Sequence, residues 1–438
     1  MASDSSRLFG AGNPPGSRDR FRDSVFFIVL IALLLRLAVI TIGHTYRITP
    51  RRDHFQYGWE MGRLARSIAL GQGFSSPTDL STGPSAWAAP IYPYILAGVF
   101  KIFGIYTALS AFVILTFNSI FAALTCLTLY WIGKRMYGAT VGRAAAWTWA
   151  VFPYAIYWPT RVVWETSFTA FLLSLALLLT LRLADQPGRW RLWFLFGLLW
   201  GLILLTNTAV VSMMPFCLLW VVYRCPKRPQ FLAAALCMVI ALLVATPWTV
   251  RNYLVFGKFV FIRDNLPLEM HEANNARSQG LWTRNEHPGN DPDAMRDFQR
   301  LGELRFMEEK KAQVRQFIRE HPGQFLWFTL ERAAYFWIAP PQATIVAGYD
   351  LWISRHVNFA LGAAFAFAGL WLTLRNRVPG RCLLACFLLI YPLPYYLVQP
   401  FVRYKHPIEP EMLLLIVYLF WEARKVQIHW PKRRAQAS

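Results

Sequence analysis

Hydropathy and charge placement predict an all-α polytopic membrane protein of about ten transmembrane helices, within a range of 10–12, with interfacial helices in two long outer loops. Two observations carry this. Of the 438 residues, 55% are hydrophobic and 16% charged, with a mean hydropathy of +0.32, whereas soluble chains run near a quarter charged. The apolar residues are also gathered into runs able to cross about 30 Å of hydrocarbon, and Lys and Arg fall in short clusters between the runs.

The polar start, residues 1–23, leads into an apolar stretch too long for a signal-peptide core, so it is expected to be a retained N-terminus followed by the first span. Spans are expected at 24–44, 107–133, 141–158, 163–183, 190–206, 208–222, 231–250, 352–374, 381–398 and 409–424. The 190–222 stretch is divided only by Asn207 and Thr208. With this count the basic connections holding Lys134, Arg135, Arg182, Arg189, Arg224, Lys227, Arg375 and Arg381, and the basic tail 425–438, share one side. The positive-inside rule makes that side the cytoplasm, with both termini, and the membrane a cell inner (plasma) membrane. The stretches 88–104 and 324–340 are expected to be interfacial helices, because counting either as a crossing would displace later basic loops. One transmembrane domain, 24–424, results, with outer loops at 45–106, 251–351 and 399–408. In the second loop, Asp291 to Glu320 is expected to form one charged amphipathic helix, with Phe298, Leu301, Leu304, Phe317 and Ile318 on its apolar side and His321-Pro322-Gly323 as its stop.

The formal charge of +21 does not imply nucleic acid here, since the cations are dispersed as topology signals and contacts to anionic membrane lipid. The six cysteines lie in apolar runs or beside them, which argues against a disulfide framework, and their spacing suggests no metal site. No repeat at a fixed period is visible, and few polar residues interrupt the spans, which weighs against a transporter.

Three polar elements face outward. After the first span come Asp53, His54, Glu60, Arg63 and Arg66. A carboxylate at the membrane edge suits the role of general base for an acceptor hydroxyl; surface pairing with a neighbouring Arg is the plain alternative. Arg251 emerges beside Trp248 at the end of a span, placed either to hold a phosphate by parallel hydrogen bonds or simply to snorkel. Arg403, Lys405 and His406, between Pro400 and Pro410, put three cations where they could stabilise a phosphate leaving group or contact a lipid headgroup. Glu165 and Arg36 are further charges in or beside spans that need partners, and for Arg36 snorkelling or helix-pair packing is the expected role.

The segments GPSAWAAPIYPYILAGVFKIFG, KRMYG, PWTVRN, HPGQFLWFTLERAAYFW and RYKHPIEP, with the acidic loop after the first span, together resemble a GT-C type glycosyltransferase. The resemblance is to the dolichyl-phosphate-mannose protein mannosyltransferase and aminoarabinose transferase superfamily, in its RgtA/B/C/D-like branch, similar to glycosyltransferase family 39. It covers most of the chain and implies a GT-C-like bundle. It also implies transfer of a hexose or pentose, with inversion, from a polyprenyl-phosphate donor to an envelope lipid, glycan or protein acceptor on the outer face. The implied base is a carboxylate of the first loop, Glu60 in GWEMGR first and Asp53 second. Many relatives carry an Asp-Glu pair at the loop's start, and here His54 follows Asp53, so the choice stays open. The resemblance further implies that Arg403, Lys405 and His406 face the donor phosphate, with Arg251 a weaker candidate, and that His54, Arg63, Tyr404 and Glu165 line the substrate site. No cofactor is expected, because a monophosphate leaving group does not require a metal, although the sequence leaves room for a divalent ion. A polymerase or ligase using a lipid diphosphate, or a non-enzymatic lipid or sugar transporter, are the alternatives.

Overall fold

The computed structural model describes residues 24–48, 56–281, 286–340 and 349–425. Asp53, His54, the N-terminal segment 1–23 and nearly all of the basic tail lie outside the described residues. Among those described there are 17 α-helices and no strand beyond one isolated bridge, Ser75 to Pro84. The protein is an all-α membrane protein, as its hydropathy predicts.

Five helices are long and apolar enough to cross a bilayer, within the segments α1 (Val25–Ile42), α4 (Ala108–Tyr137), α7 (Thr166–Asp185), α10 (Arg228–Phe256) and α15 (Tyr349–Arg375). Every other expected span also falls on helix, but shorter or broken. The 141–158 span is two helices, α5 (Ala139–Val151) and α6 (Pro153–Arg161), because Pro153 has no N–H to give the preceding turn. Downstream, α8 (Trp190–Leu204) is separated from α9 (Met214–Arg224) by a 3-10 turn over Thr208–Met213, which Asn207 caps through its side chain. The 381–398 span stops being α-helical at Leu389, where α16 (Arg381–Leu389) gives way to the Pro-rich 3-10 turn Leu393–Tyr396. The final helix, α17 (Glu409–Ala423), follows a second 3-10 stretch, Val402–Ile408.

α4 is the hub, with α1, α5 and α7 packed on it. Arg36 of α1 is fully buried at this junction. Its guanidinium donates to the carbonyls of Ala32 (2.9 Å), Ala150 (3.1 Å), Trp149 (3.3 Å) and Ala155 (2.9 Å). Trp149 would ordinarily bond the N–H four residues on, which is Pro153 and has none, so Arg36 supplies the missing donor. It therefore packs helices together rather than snorkelling. A second close contact joins α8 to α10: a Cβ added at Gly201 would meet Val244 Cβ at 2.5 Å, so only glycine permits this approach.

The two long loops fold on each other above the bundle. Loop one carries α2 (Glu60–Ala69) and α3 (Ile91–Phe103), which pack together. Loop two carries α11 (Leu266–Ala273), α12 (Pro292–Leu301), α13 (Glu303–Glu320) and α14 (Pro322–Ile338). The single helix expected over Asp291–Glu320 is two, because Gly302 takes a left-handed φ of 74° and turns the chain. Trp87 of loop one joins Leu268, Met295, Phe298, Phe306 and Met307 of loop two in a small apolar core. Of the expected apolar face, Phe298 and Phe317 are buried, while Leu301, Leu304 and Ile318 are half-buried. In α14, Arg332 is fully buried rather than at a headgroup surface. It donates to the carbonyls of Tyr396 (2.8 Å) and Ala273 (3.0 Å) and to Asn274 Oδ1 (3.0 Å), joining three segments.

Candidate active site

Glu60 opens α2 because two successive left-handed residues, Gly58 (φ 93°) and Trp59 (φ 53°), turn the chain immediately before it. Its Oε1 lies 3.2 Å from Nε2 of His287. The imidazole stands edge-on to Trp59 (5.9 Å between centroids) and Trp87 (5.6 Å). The Gly289 N–H donates to its Nδ1 at 2.9 Å, which requires an unprotonated Nδ1 and leaves Nε2–H to donate to Glu60. Burial alone would lower the pKa of His287, but Glu272, Glu60 and Glu269 outweigh it and hold the imidazole above its ordinary value.

Two carboxylates of α11 border this pair. Glu269 accepts from Asn265 Nδ2 at 3.0 Å and from Gln399 Nε2 at 2.5 Å, with Arg263 at 3.8 Å. Burial raises its pKa, while Arg263 and Arg403 pull it down and Glu60 pushes it up. Glu272, 1% exposed, is pushed up to about 8 by burial. Behind them, His271 Nε2 and Lys310 Nζ bond Glu286 at 3.0 and 3.3 Å, and the His271 bond draws Glu286 down to about 2.

Arg403 and Arg263 supply positive charge to the same two carboxylates, Glu165 and Glu269. The Arg403 guanidinium lies over Trp164 (4.3 Å), Phe401 (4.4 Å) and Tyr404 (5.2 Å) and makes no ion pair or hydrogen bond among the described residues. Its charge acts on both Glu165 and Glu269. Glu165 is buried and accepts from Asn207 Nδ2 at 3.3 Å. The ring of Tyr404 stacks on Tyr395 at 4.5 Å.

The remaining sequence candidates are placed differently. Lys405 is buried with its Nζ 3.3 Å from the centroid of Phe359, and desolvation lowers its pKa to about 7. His406 is fully buried, stacked on Trp149, with Nδ1 2.7 Å from Glu409 and Nε2 3.4 Å from Ser167, so both nitrogens are engaged inside the bundle. Arg251 gives its guanidinium to the carbonyls of Ser85 (2.7 Å) and Phe74 (2.9 Å), clamping loop one to α10. Arg63, 2% exposed, pairs with Asp79 inside loop one. The three cations of the RYKH segment thus diverge, and of them Arg403 acts on Glu269.

His287, Arg263, Glu269 and Glu272 escape the sequence reading, being scattered through a polar loop that resembles a solvated face. The run LEMHEANN does carry a sign, since Asn274 and Asn275 spend their side chains on backbone carbonyls, as residues of a built loop do. Among the described residues no three His, Cys, Asp or Glu converge to hold a metal ion.

Residues 87–250, from just before α3 in loop one through most of α10, match the family described as dolichyl-phosphate-mannose-protein mannosyltransferase. The archaeal oligosaccharyltransferase AglB from Archaeoglobus fulgidus, in complex with an inhibitory peptide and a dolichol-phosphate, superposes with a TM-score of 0.55 at 13% identity, over 93% of this chain and 51% of that one. The chain has the GT-C-like fold of that enzyme. The apo form of the Archaeoglobus oligosaccharyltransferase gives the same TM-score of 0.55 at 13% identity, over 91% of this chain and 51% of that one. The chain spans about half the length of those enzymes. Comparison with curated proteins gives no match.

Proposed function

We propose that this GT-C chain moves a sugar from a polyprenyl-phosphate carrier to an acceptor hydroxyl on the outer face of a cell inner membrane, with inversion at the anomeric carbon. The observation carrying the proposal is the shared neighbourhood of Glu60, paired with His287, and the open guanidinium of Arg403, both of which act on Glu269. That neighbourhood supports Glu60 as the base and Arg403 as the anion holder. The dolichol-phosphate in the oligosaccharyltransferase of the same fold supports a lipid monophosphate as the donor class.

In the proposed reaction Glu60 takes the proton of the acceptor hydroxyl as that oxygen bonds the anomeric carbon. The bond from the anomeric carbon to the phosphate oxygen breaks, and its electron pair leaves on the phosphate. Arg403, together with Arg263, stabilises the added negative charge. His287 Nε2–H orients Glu60 and leaves its second oxygen for the acceptor. Asp53 is the alternative base on the same loop. No step needs a metal, because the leaving monophosphate requires only its charge to be held.

Mass spectrometry of envelope lipids and glycans from cells lacking the chain tests the donor class. A polyprenyl monophosphate glycoside should accumulate while the same sugar disappears from one envelope molecule. Accumulation of a polyprenyl diphosphate oligosaccharide instead would overturn the reading in favour of a polymerase or ligase.

A further inference from the structure

At the end of the bundle away from the candidate site, α4 and α7 finish beside a cavity of about 460 Å³ lined by Trp131, Lys134, Arg135, Arg182, Asp185 and Arg189, among others. Arg135, near the end of the 30-residue α4, puts this cavity about 40 Å from the helix's outer start, at 1.5 Å per residue. Asp185 supplies the only acidic group in the lining, and Arg135 engages it. Lys134, Arg182 and Arg189 make no ion pair or side-chain hydrogen bond among the described residues. Arg182 and a further cation, Arg224, also repel Arg135. The positive-inside rule accounts for cations in each connection separately. It does not account for their convergence from two helix ends and the following loop around one hollow, where mutual repulsion costs stability until an anion enters.

We propose that this cavity binds a phosphate-bearing headgroup, that of an anionic membrane phospholipid. The phosphate would lie among Lys134, Arg182 and Arg189. Trp131, Leu178 and Leu192 line the same cavity as an apolar wall for the first acyl carbons. Lys134 already rests over the Trp131 ring at 4.9 Å, so it lies at the boundary between the polar and apolar walls.

The test uses the purified full chain in neutral detergent, mixed with equal amounts of phosphatidylglycerol and phosphatidylcholine, with retained lipid counted by native mass spectrometry. The wild type should keep phosphatidylglycerol selectively. The double variant R182Q/R189Q, which breaks no ion pair, should lose about thirtyfold in that preference. Equal retention of the two lipids by the wild type, or an unchanged preference in the double variant, would overturn the proposal. Should the variant not fold, the wild type decides alone: its melting temperature must rise with phosphatidylglycerol and not with phosphatidylcholine, and no rise refutes the site. In a parallel arm, inorganic phosphate that displaces the lipid at millimolar concentration and stabilises the protein equally would assign the site to soluble phosphate and overturn the lipid assignment.

Discussion

His287 Nε2 lies 3.2 Å from Glu60 Oε1, joining the second outer loop to the first at the start of α2. The Gly289 N–H fixes the imidazole tautomer from the other side, so the carboxylate is met by a donor whose direction the backbone sets. Replacing His287 with Gln retains a donor and should cost roughly tenfold in kcat, whereas His287→Phe should cost about a hundredfold. Steady-state rates with KM for the donor unchanged would separate this positioning role from loss of binding.

Arg403 and Arg251 should respond in opposite ways. Arg403 surrenders no hydrogen bond or ion pair when changed, so Arg403→Gln should leave thermal stability within about 1 kcal/mol of the wild type. Transfer should nevertheless fall at least a hundredfold, with partial recovery in Arg403→Lys, which keeps charge without the planar fork.

Arg251→Ala removes the donors to Ser85 and Phe74, at about 3 kcal/mol for two charged hydrogen bonds. Loop one should become sensitive to protease while KM for the lipid donor stays near its wild-type value. A large rise in that KM with loop one still protected would return Arg251 to the donor site.

The outer loops should lose stability as pH rises. Glu272 is held at about 8, above its unfolded value of about 4.3, so the folded state binds the extra proton between those limits and stability falls as pH climbs from about 4.3 to about 8. Glu286, drawn down to about 2, works oppositely, and its contribution fades as pH falls from about 4.3 toward 2. Glu272→Gln should flatten the alkaline limb, as melting temperatures at pH 5 and pH 8.5 would reveal. An equally steep limb in the variant would remove Glu272 from the account.

These effects mark what the sequence could and could not announce. Hydropathy located the five helices long and apolar enough to cross a bilayer, because a bilayer imposes long apolar runs, but the single span expected over 141–158 missed the break at Pro153 that Arg36 fills. Glu60 and Arg403 stand out in the sequence because each lies at a boundary where polar residues are scarce. Glu269, Glu272 and His287 were not, since a polar loop tolerates charge anywhere and only its closure over loop one, through Trp87 and the contact of Glu303 with the Ala86 N–H, puts them in a dry interior. Asn274 and Asn275 were the one local hint of that closure. His406 misled for the opposite reason, since a histidine beside two cations suggests an anion site until its ring is found stacked on Trp149.

Arg36→Leu should prevent accumulation of folded protein, because the Trp149 carbonyl loses its donor inside the bundle, at several kcal/mol for an unsatisfied group in hydrocarbon. Size-exclusion chromatography in detergent would show aggregate in place of a monodisperse peak.

The central claim is that Glu60 removes the acceptor proton. It is tested most directly by transfer from the accumulated polyprenyl-phosphate sugar in membranes carrying the wild type, Glu60→Gln or Asp53→Asn at matched protein levels. The account predicts a loss of between about 10² and 10⁴ in rate for Glu60→Gln with donor binding retained, and a smaller loss for Asp53→Asn. Undiminished transfer by Glu60→Gln would contradict it.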